Sequence, residues 1–260
     1  KIADLLGVKK PKADKVYSTP VYRFDVDGEE WVTIGLRGHI LEPDFAPTMV
    51  YKKRGGWQGV TEEGETLPAE LPASLPKPPF KKKKPFTEDG VELKSWKMDA
   101  LPYLVYAPIN KLPKEKEIIR SLKNLAKKAD SLIIATDFDR EGELIGSDAL
   151  SCIQEVNPDA PVQRARYSAF TKEEITHAFD NLVELDVNLA SAGASRQDID
   201  LIWGAVLTRY LTLVKFAGYG NVRSSGRVQT PTLALVVARE RERLAFVPED
   251  YWVIRGAFGA

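Results

Sequence analysis

One cysteine, two histidines and no net charge define much of what this 260-residue chain is not. Cys152, standing alone, excludes an intramolecular disulfide and any zinc cage built on several thiolates. With thiols so scarce, a reducing cytoplasm is the expected setting. No apolar run approaches the ~20 residues that a membrane span needs, so no membrane partner is expected. Lys+Arg and Asp+Glu both number 37. Global charge therefore gives no hint of nucleic acid, and any such binding has to come from local patches. An apolar content of 43% with 28% charged residues is that of a soluble chain with a real core, which excludes wholesale disorder. The length suits one large domain or two modest ones. There is no initiating methionine and no signal peptide, and the chain stops straight after the strand-like 251–254. A fragment cut at both ends is the expectation.

Reading along the chain, Ile2, Leu5 and Leu6 share one helical face. Two strand-like runs, 22–26 and 31–34, flank Asp27-Gly28, a hairpin signal. The stretch 51–97 changes character: Pro68, Pro72, Pro76, Pro78, Pro79 and Pro85 crowd it, beside Lys81, Lys82, Lys83 and Lys84. It reads as an extended insertion rather than core. The lysine run is a solvated tether or a phosphate-tracking patch. A short strand is expected at 103–106 and a helix at 114–128, where Ile118, Leu122 and Leu125 form a stripe. SLIIAT, 131–136, is the short continuous apolar run of a strand buried on both faces. In the helix expected after it, Ile145, Ala149, Cys152, Ile153 and Val156 share a face, with Cys152 a small core residue. This alternation predicts an α/β layered, mostly parallel sheet up to about residue 170.

Beyond that point the pattern is helical. Thr171-Lys172-Glu173-Glu174 predicts a capping box. A long helix is expected from about 189 to 216, with Ile199, Trp203, Val206, Tyr210 and Leu213 as its apolar seam. Thr230 is expected to cap another helix with Pro231 in its first position. Arg239-Glu240-Arg241-Glu242-Arg243 near its end forms a solvated face with weak i,i+3 ion pairs.

The chemistry concentrates after SLIIAT, where Asp137, Asp139 and Glu141 alternate. In open α/β sheets ligands sit beyond the carboxyl ends of the strands. Three carboxylates within five residues repel one another unless a positive group compensates. A hard divalent cation answers that need, and Mg²⁺ suits one or two carboxylates plus phosphate and water. Arg140 has the fork to grip a phosphate bidentately, and Gly142 permits close backbone approach. The plainer alternative is a helix whose first turn favours acids through its macrodipole, which accounts for one or two of them. Further on, Arg223 and Arg227 flank a small turn leading into a helix N-terminus, whose free N–H groups suit a phosphate. Arg196 precedes Asp200 by four residues, the less favourable order against the helix dipole, so helix stabilisation is a weak reason for the pair.

The run ATDFDREGELIG resembles the Asp-x-Asp-Arg-Glu-Gly-Glu signature of the Toprim domain in type IA DNA topoisomerases. By that resemblance Asp137, Asp139 and Glu141 hold Mg²⁺ near the scissile phosphate and Arg140 contacts phosphate, these four being the catalytic residues present. Ser224, Ser225, Gly226, Arg227, Val228 and Gln229 resemble the family's DNA-contacting Ser-Ala-Gly-Arg-Val-Gln run. Arg196 and Asp200, with Gly204 beyond, are similar to a helix that lines the family's single-strand groove. Gly38-His39 matches a Gly-His near the first sheet edge, which implies a DNA-proximal role for His39, although a lone histidine is often structural. Thr-Pro-Thr-Leu after Gln229, and Leu207-Thr208-Arg209, look more like archaeal topoisomerase I or topoisomerase III than the main bacterial enzyme.

Two parts of the family pattern are missing. None of the nine tyrosines lies in the Tyr-Pro-Arg-Thr-like context of the family's nucleophile: Tyr219 sits in Gly-Tyr-Gly and Tyr251 in Asp-Tyr-Trp. The Glu-Lys pair of the first Toprim strand is absent as well. The resemblance implies a Toprim domain over 1–170, lacking its first strand and carrying the 51–97 insertion. Residues 171–260 would begin the helical DNA-groove domain. The implied activity is relaxation or decatenation by transient single-strand cleavage through a tyrosyl-5′-phosphate, strand passage and Mg²⁺-dependent resealing. Single-stranded DNA is the expected partner, with no nucleotide for this part and a cytoplasmic, nucleoid-associated location. The alternatives are a Toprim nuclease or primase-like protein, and a metal- and DNA-binding module without activity.

Overall fold

The computed structural model describes residues 1–7, 9–215 and 221–259. They fall into two units, Lys1–Ile202 and Trp203–Ala260, each considered by itself. The first begins with a short helix, α1 (Ile2–Leu6), whose Ile2, Leu5 and Leu6 pack on one core cluster, as their spacing implies. β1 (Lys12–Val16), β2 (Thr19–Val26) and β3 (Glu29–Ile34) form an antiparallel meander. Its second turn falls on Asp27 and Gly28, both with positive φ (53° and 89°), the geometry a two-residue hairpin demands. Phe24 then lies opposite Trp31, ring centroids 6.0 Å apart.

β4 (Leu41–Phe45) leads into a second sheet made of β5 (Thr48–Lys52), β6 (Gly56–Val60), β7 (Thr66–Ala69) and β8 (Gly90–Glu92). The order is β7-β6-β5-β8, all antiparallel. Segment 51–97 is therefore a folded subdomain, not the extended insertion outside any core that its prolines suggested. Aromatic burial explains the difference. Trp57 meets Tyr103 (centroids 5.4 Å apart) and Phe80 meets Phe86 (4.6 Å) in tilted contacts, and Met49, Val91 and Leu93 are buried as well. Pro68 lies on β7, an edge strand, where its missing N–H breaks no ladder. The lysines at 81–84 are exposed, and Lys82 pairs with Glu88 at 3.2 Å.

The strand expected at 103–106 is instead a helical turn, α2 (Leu101–Leu104), following a 3-10 turn over Met98–Ala100. Tyr103 and Leu104 are both buried while Val105 and Tyr106 are both exposed, which a strand's alternation does not permit. β9 (Ile109–Pro113) returns the chain to pair antiparallel with β4.

Next come α3 (Lys116–Ala126), β10 (Leu132–Ile134), α4 (Arg140–Gln154) and β11 (Val162–Arg164). β10 and β11 are the parallel pair, joined through α4 in the manner of a βαβ unit. The other strand pairings among the described residues are antiparallel, and three of the four sheets are built from them. β10 does pack on both faces. Leu132 meets the α3/α4 core of Ile118, Leu122, Cys152 and Ile153, and Ile133 meets the cluster of Ala165, Tyr167 and Ile175. Cys152 is buried there, and burial pushes its thiol pKa up.

α5 (Lys172–Asp180) starts at Thr171, whose Oγ1 accepts from Glu174 N at 3.3 Å. Only that half of the expected capping box forms, because the Glu174 carboxylate turns to Ser168 N and Oγ (3.1 Å each). α6 (Val187–Val214) is capped by Asp186, which accepts from Leu189 N at 2.9 Å, and the division between the units falls within this helix. Its expected seam is not a buried one: Ile199, Trp203 and Tyr210 are about half exposed. Phe216, where that helix was expected to end, and Tyr219 lie outside the described residues.

In the second unit, α7 (Gln229–Ala245) begins two residues earlier than expected. Val228 occupies the cap position without a side-chain bond, and Thr230 and Pro231 lie inside the first turn. Pro231 is tolerated because first-turn N–H groups have no intrahelical partner. The Arg239–Glu242 and Glu240–Arg243 pairs form as expected. Residues 251–254 are exposed and form no strand.

Candidate metal and nucleic-acid site

The loop between β10 and α4 carries the acidic motif, and its backbone is tightly specified. Asp139 is the N-cap of α4, its Oδ1 accepting from Gly142 N at 2.7 Å. Asp139 N donates to Asp137 O at 3.0 Å, and Thr136 Oγ1 donates to Gly142 O at 2.7 Å. Gly142 is essential to this turn: a Cβ there would stand 2.0 Å from Asp137 O. Gly142→Ala is therefore expected to push the loop off its position and cost about 1–3 kcal/mol of stability by overpacking. Urea unfolding of the variant beside the unmodified chain checks this.

The loop leaves Asp137, Phe138, Asp139 and Arg140 exposed. Asp137 and Asp139 line one shallow cavity with Phe138, Tyr167, Ser168 and Phe170. Two exposed carboxylates at a strand end fit what Mg²⁺ asks of a protein that also presents a phosphate. The third expected ligand is elsewhere. Glu141, in the first turn of α4, faces α6 and the 36–40 loop: its Oε1 accepts from Arg196 Nη1 and its Oε2 pairs with His39 Nε2, both at 3.1 Å. Among the described residues no group of three or more His, Cys, Asp or Glu is gathered in metal-holding geometry. Of the three expected metal residues, Asp137 and Asp139 thus share a cavity, while Glu141 is turned to Arg196 and His39. The reason is local, since consecutive helix positions about 100° apart send Glu141 away from the cap residue.

Glu141 is the centre of a polar cluster that unites three expected residues. Arg196 also lies 4.0 Å from Asp200 Oδ2, and Gln197 Nε2 approaches both His39 ring nitrogens (3.2 and 3.1 Å). A close helix crossing makes it possible, because a Cβ on Gly193 would lie 2.6 Å from Arg140 O. Arg196, one turn beyond Gly193, thereby reaches Glu141. The i,i+4 order of Arg196 and Asp200 has its explanation here, in a contact to a third group. Gln197 was not singled out in the sequence; its place beside Arg196 was the available signal.

Beneath the loop lies an ion pair that sequence reasoning missed entirely. Arg164, at the end of β11, and Glu143, on α4, are both fully buried and meet at 2.9 Å. Glu143 Oε1 also accepts from Asp186 N, the α6 cap residue, at 2.7 Å. Arg164 Nη2 donates to Asp137 O at 2.9 Å, and Nη1 donates to Ile134 O at 3.3 Å and Ala165 O at 2.5 Å.

In the second unit, the 224–229 segment runs along the end of α6. Ser225 is buried, its N donating to Thr208 Oγ1 (3.0 Å) and its Oγ meeting Thr230 Oγ1 (3.0 Å). Arg223 N donates to Thr212 Oγ1 at 2.9 Å, and Gln229 Nε2 donates to Ser224 Oγ at 3.0 Å. Threonines one helical turn apart on α6 thus hold the segment by its backbone. Arg227, Val228 and Gln229 remain exposed at the start of α7, and Gly226 is half-buried.

A carboxylate loop at the carboxyl end of a parallel strand, on a βαβ unit, defines a Toprim-type α/β domain followed by helices. The Toprim domain family matches residues 4–170, and the family described as DNA topoisomerase matches 184–260. DNA topoisomerase 1 of Archaeoglobus fulgidus is 49% identical over 167 residues, 64% of this chain and 25% of that protein. The DNA topoisomerase 1 of Thermoplasma acidophilum is 35% identical over 258 residues, 99% of this chain and 28% of that protein. A solved structure of full-length topoisomerase I from Thermotoga maritima shares 30% identity over 70% of this chain and 26% of that one, at a TM-score of 0.44. The chain belongs to the type IA DNA topoisomerase family, a family of isomerases. It spans about a quarter of the length of these relatives.

Proposed function

We propose that this chain supplies the metal-binding and part of the DNA-binding surface of an enzyme that relaxes or decatenates DNA. The reaction would be transient single-strand cleavage through a tyrosyl-5′-phosphate, strand passage and resealing. The observation that carries the reading is the exposed Asp137/Asp139 loop, held by hydrogen bonds from Gly142 N and Arg164 Nη2 at the end of β10. Asp137 and Asp139 would hold Mg²⁺, which when bound stabilises charge on the phosphate. Arg140 and Arg227 would neutralise phosphate oxygens. Arg196, oriented by Glu141 and Asp200, would line the strand path, with His39 and Gln197 behind it. Glu141 acts in this reading through Arg196 and His39. Its family-implied place at the metal would require it to leave them.

The nucleophilic tyrosine is proposed to lie outside these 260 residues, because none of the nine tyrosines has the expected context. The chain alone is then expected to bind single strands without forming a covalent adduct. In this reading the Toprim part runs to about residue 170 and the helical part begins at 171, which the end of the Toprim match at 170 supports. The archaeal relatives support an archaeal topoisomerase I or III type. Among the described residues no helix is long and apolar enough to cross a membrane.

The test is Arg227→Ala. Loss of one phosphate contact should weaken single-strand binding and flatten the log–log salt dependence by about 0.7, with folding unchanged. Fluorescence anisotropy across a salt series reads the slope, and an unchanged slope removes Arg227 from the DNA path.

A further inference from the structure

We infer that the buried Arg164–Glu143 pair is a positioning device for the acidic loop, setting the direction of the Asp137 and Asp139 carboxylates without touching the ligand. The inference deepens the metal reading of that loop and rests on it.

The argument begins with one carbonyl. Asp137 O receives Asp139 N at 3.0 Å and Arg164 Nη2 at 2.9 Å, and Gly142 leaves no room for a Cβ beside it. Two donors and a wall fix the peptide that follows Asp137, and with it the directions in which Asp137 and Asp139 leave the chain. Arg164 is the one of these groups that comes from another strand. Its guanidinium spans the ends of both parallel strands, holding Ile134 O at the end of β10 and Ala165 O just past β11 while it reaches the loop. No ammonium has the planar fork to serve three divergent carbonyls together.

Glu143 completes the device. It lies fully buried on α4 and takes Arg164 Nε at 2.9 Å, so the positive charge beneath the loop is matched locally. The carboxylate of Asp137 is engaged by no hydrogen bond or ion pair among the described residues and lines the cavity. The guanidinium thus spends its donors on backbone oxygens and its charge on Glu143, and leaves the two aspartates available to a cation. Stability is a poor reason for such a pair, since apolar residues of similar volume usually serve a core at least as well. What apolar residues cannot do is hold three carbonyls at the mouth of a site.

The experiment compares the full chain with the double variant Glu143→Met, Arg164→Met, which removes both charges and keeps volume, and with Arg164→Lys, which keeps charge and loses the fork. Two readouts are taken: amide hydrogen exchange, and Mn²⁺ affinity by electron paramagnetic resonance with Mn²⁺ alone as probe. Exchange of the Asp139 and Gly142 amides should quicken by about tenfold or more in both variants while Ala149 and Cys152 in α4 stay protected. Mn²⁺ should bind about 10–100-fold more weakly, the usual consequence of losing a group that orients ligands. Unchanged protection of Asp139 and Gly142 in a folded variant overturns the inference, as does full Mn²⁺ affinity. If the double variant fails to fold, Arg164→Lys decides on the same two readouts. If the unmodified chain binds no Mn²⁺, the metal reading fails, and the exchange comparison still decides whether Arg164 holds the loop.

Discussion

Replacing Asp137 and Asp139 together by asparagine is expected to reduce Mg²⁺-dependent relaxation of supercoiled DNA by about a thousandfold or more. The measurement is made in a protein carrying this chain with the remainder of a type IA enzyme. A metal-bound phosphate gains several kcal/mol of charge stabilisation, and ~4 kcal/mol corresponds to that factor. Asparagine is the informative substitution because Asp139, besides the metal-binding proposed for it, caps a helix. As N-cap it accepts from Gly142 N at 2.7 Å, and asparagine caps a helix about as well as aspartate. The double variant therefore removes two negative charges and leaves the start of α4 in place. Circular dichroism and the melting temperature should be unaltered, and Mn²⁺ binding should vanish with the activity. Relaxation at the unmodified rate would show that the loop carries no metal the reaction needs.

The acidic loop was legible because its chemistry is local. Three carboxylates within five residues, directly after an apolar strand, sit where an α/β layer places ligands. The Asp27-Gly28 hairpin and the Thr171 cap were legible for a similar reason: a turn or a cap depends on two to four adjacent residues. Where the sequence misled, the deciding contact was remote. Prolines between 68 and 85 suggested an extended insertion, yet Trp57, Phe80, Phe86 and Tyr103 find one another across the segment, Trp57 and Tyr103 both buried. The contact between Glu141 and Arg196, 55 residues on, was not legible either, since nothing in the motif points to α6. The seam of α6 follows helical spacing, and spacing specifies which residues share a face, not whether that face is covered.

Glu143 is the plainest instance. In the sequence it is one more acid in a helix's first turn, and Arg164 is one more arginine after a strand-like segment. Twenty-one residues separate them, and nothing in their immediate neighbours shows that both are fully buried. The pairing is a product of the parallel β10–β11 register, which brings the end of β11 beneath the loop that follows β10.

Glu143→Ala is accordingly expected to be among the most destabilising single substitutions in the first unit. It leaves the Arg164 guanidinium without its counter-charge in a fully buried position and frees Asp186 N from its 2.7 Å bond. Breaking a buried pair from one side costs about 3–5 kcal/mol, because the remaining charge is stranded. That is a large share of the 5–15 kcal/mol by which domains are typically stable. Urea unfolding followed by circular dichroism gives the number. Adding Arg164→Met to the alanine variant should recover part of the loss, since it removes the stranded charge, even though a cavity remains at Glu143. A loss below about 1 kcal/mol would mean that water reaches Arg164 once Glu143 is gone, and the guanidinium would then not be the sealed support beneath the loop that the geometry describes.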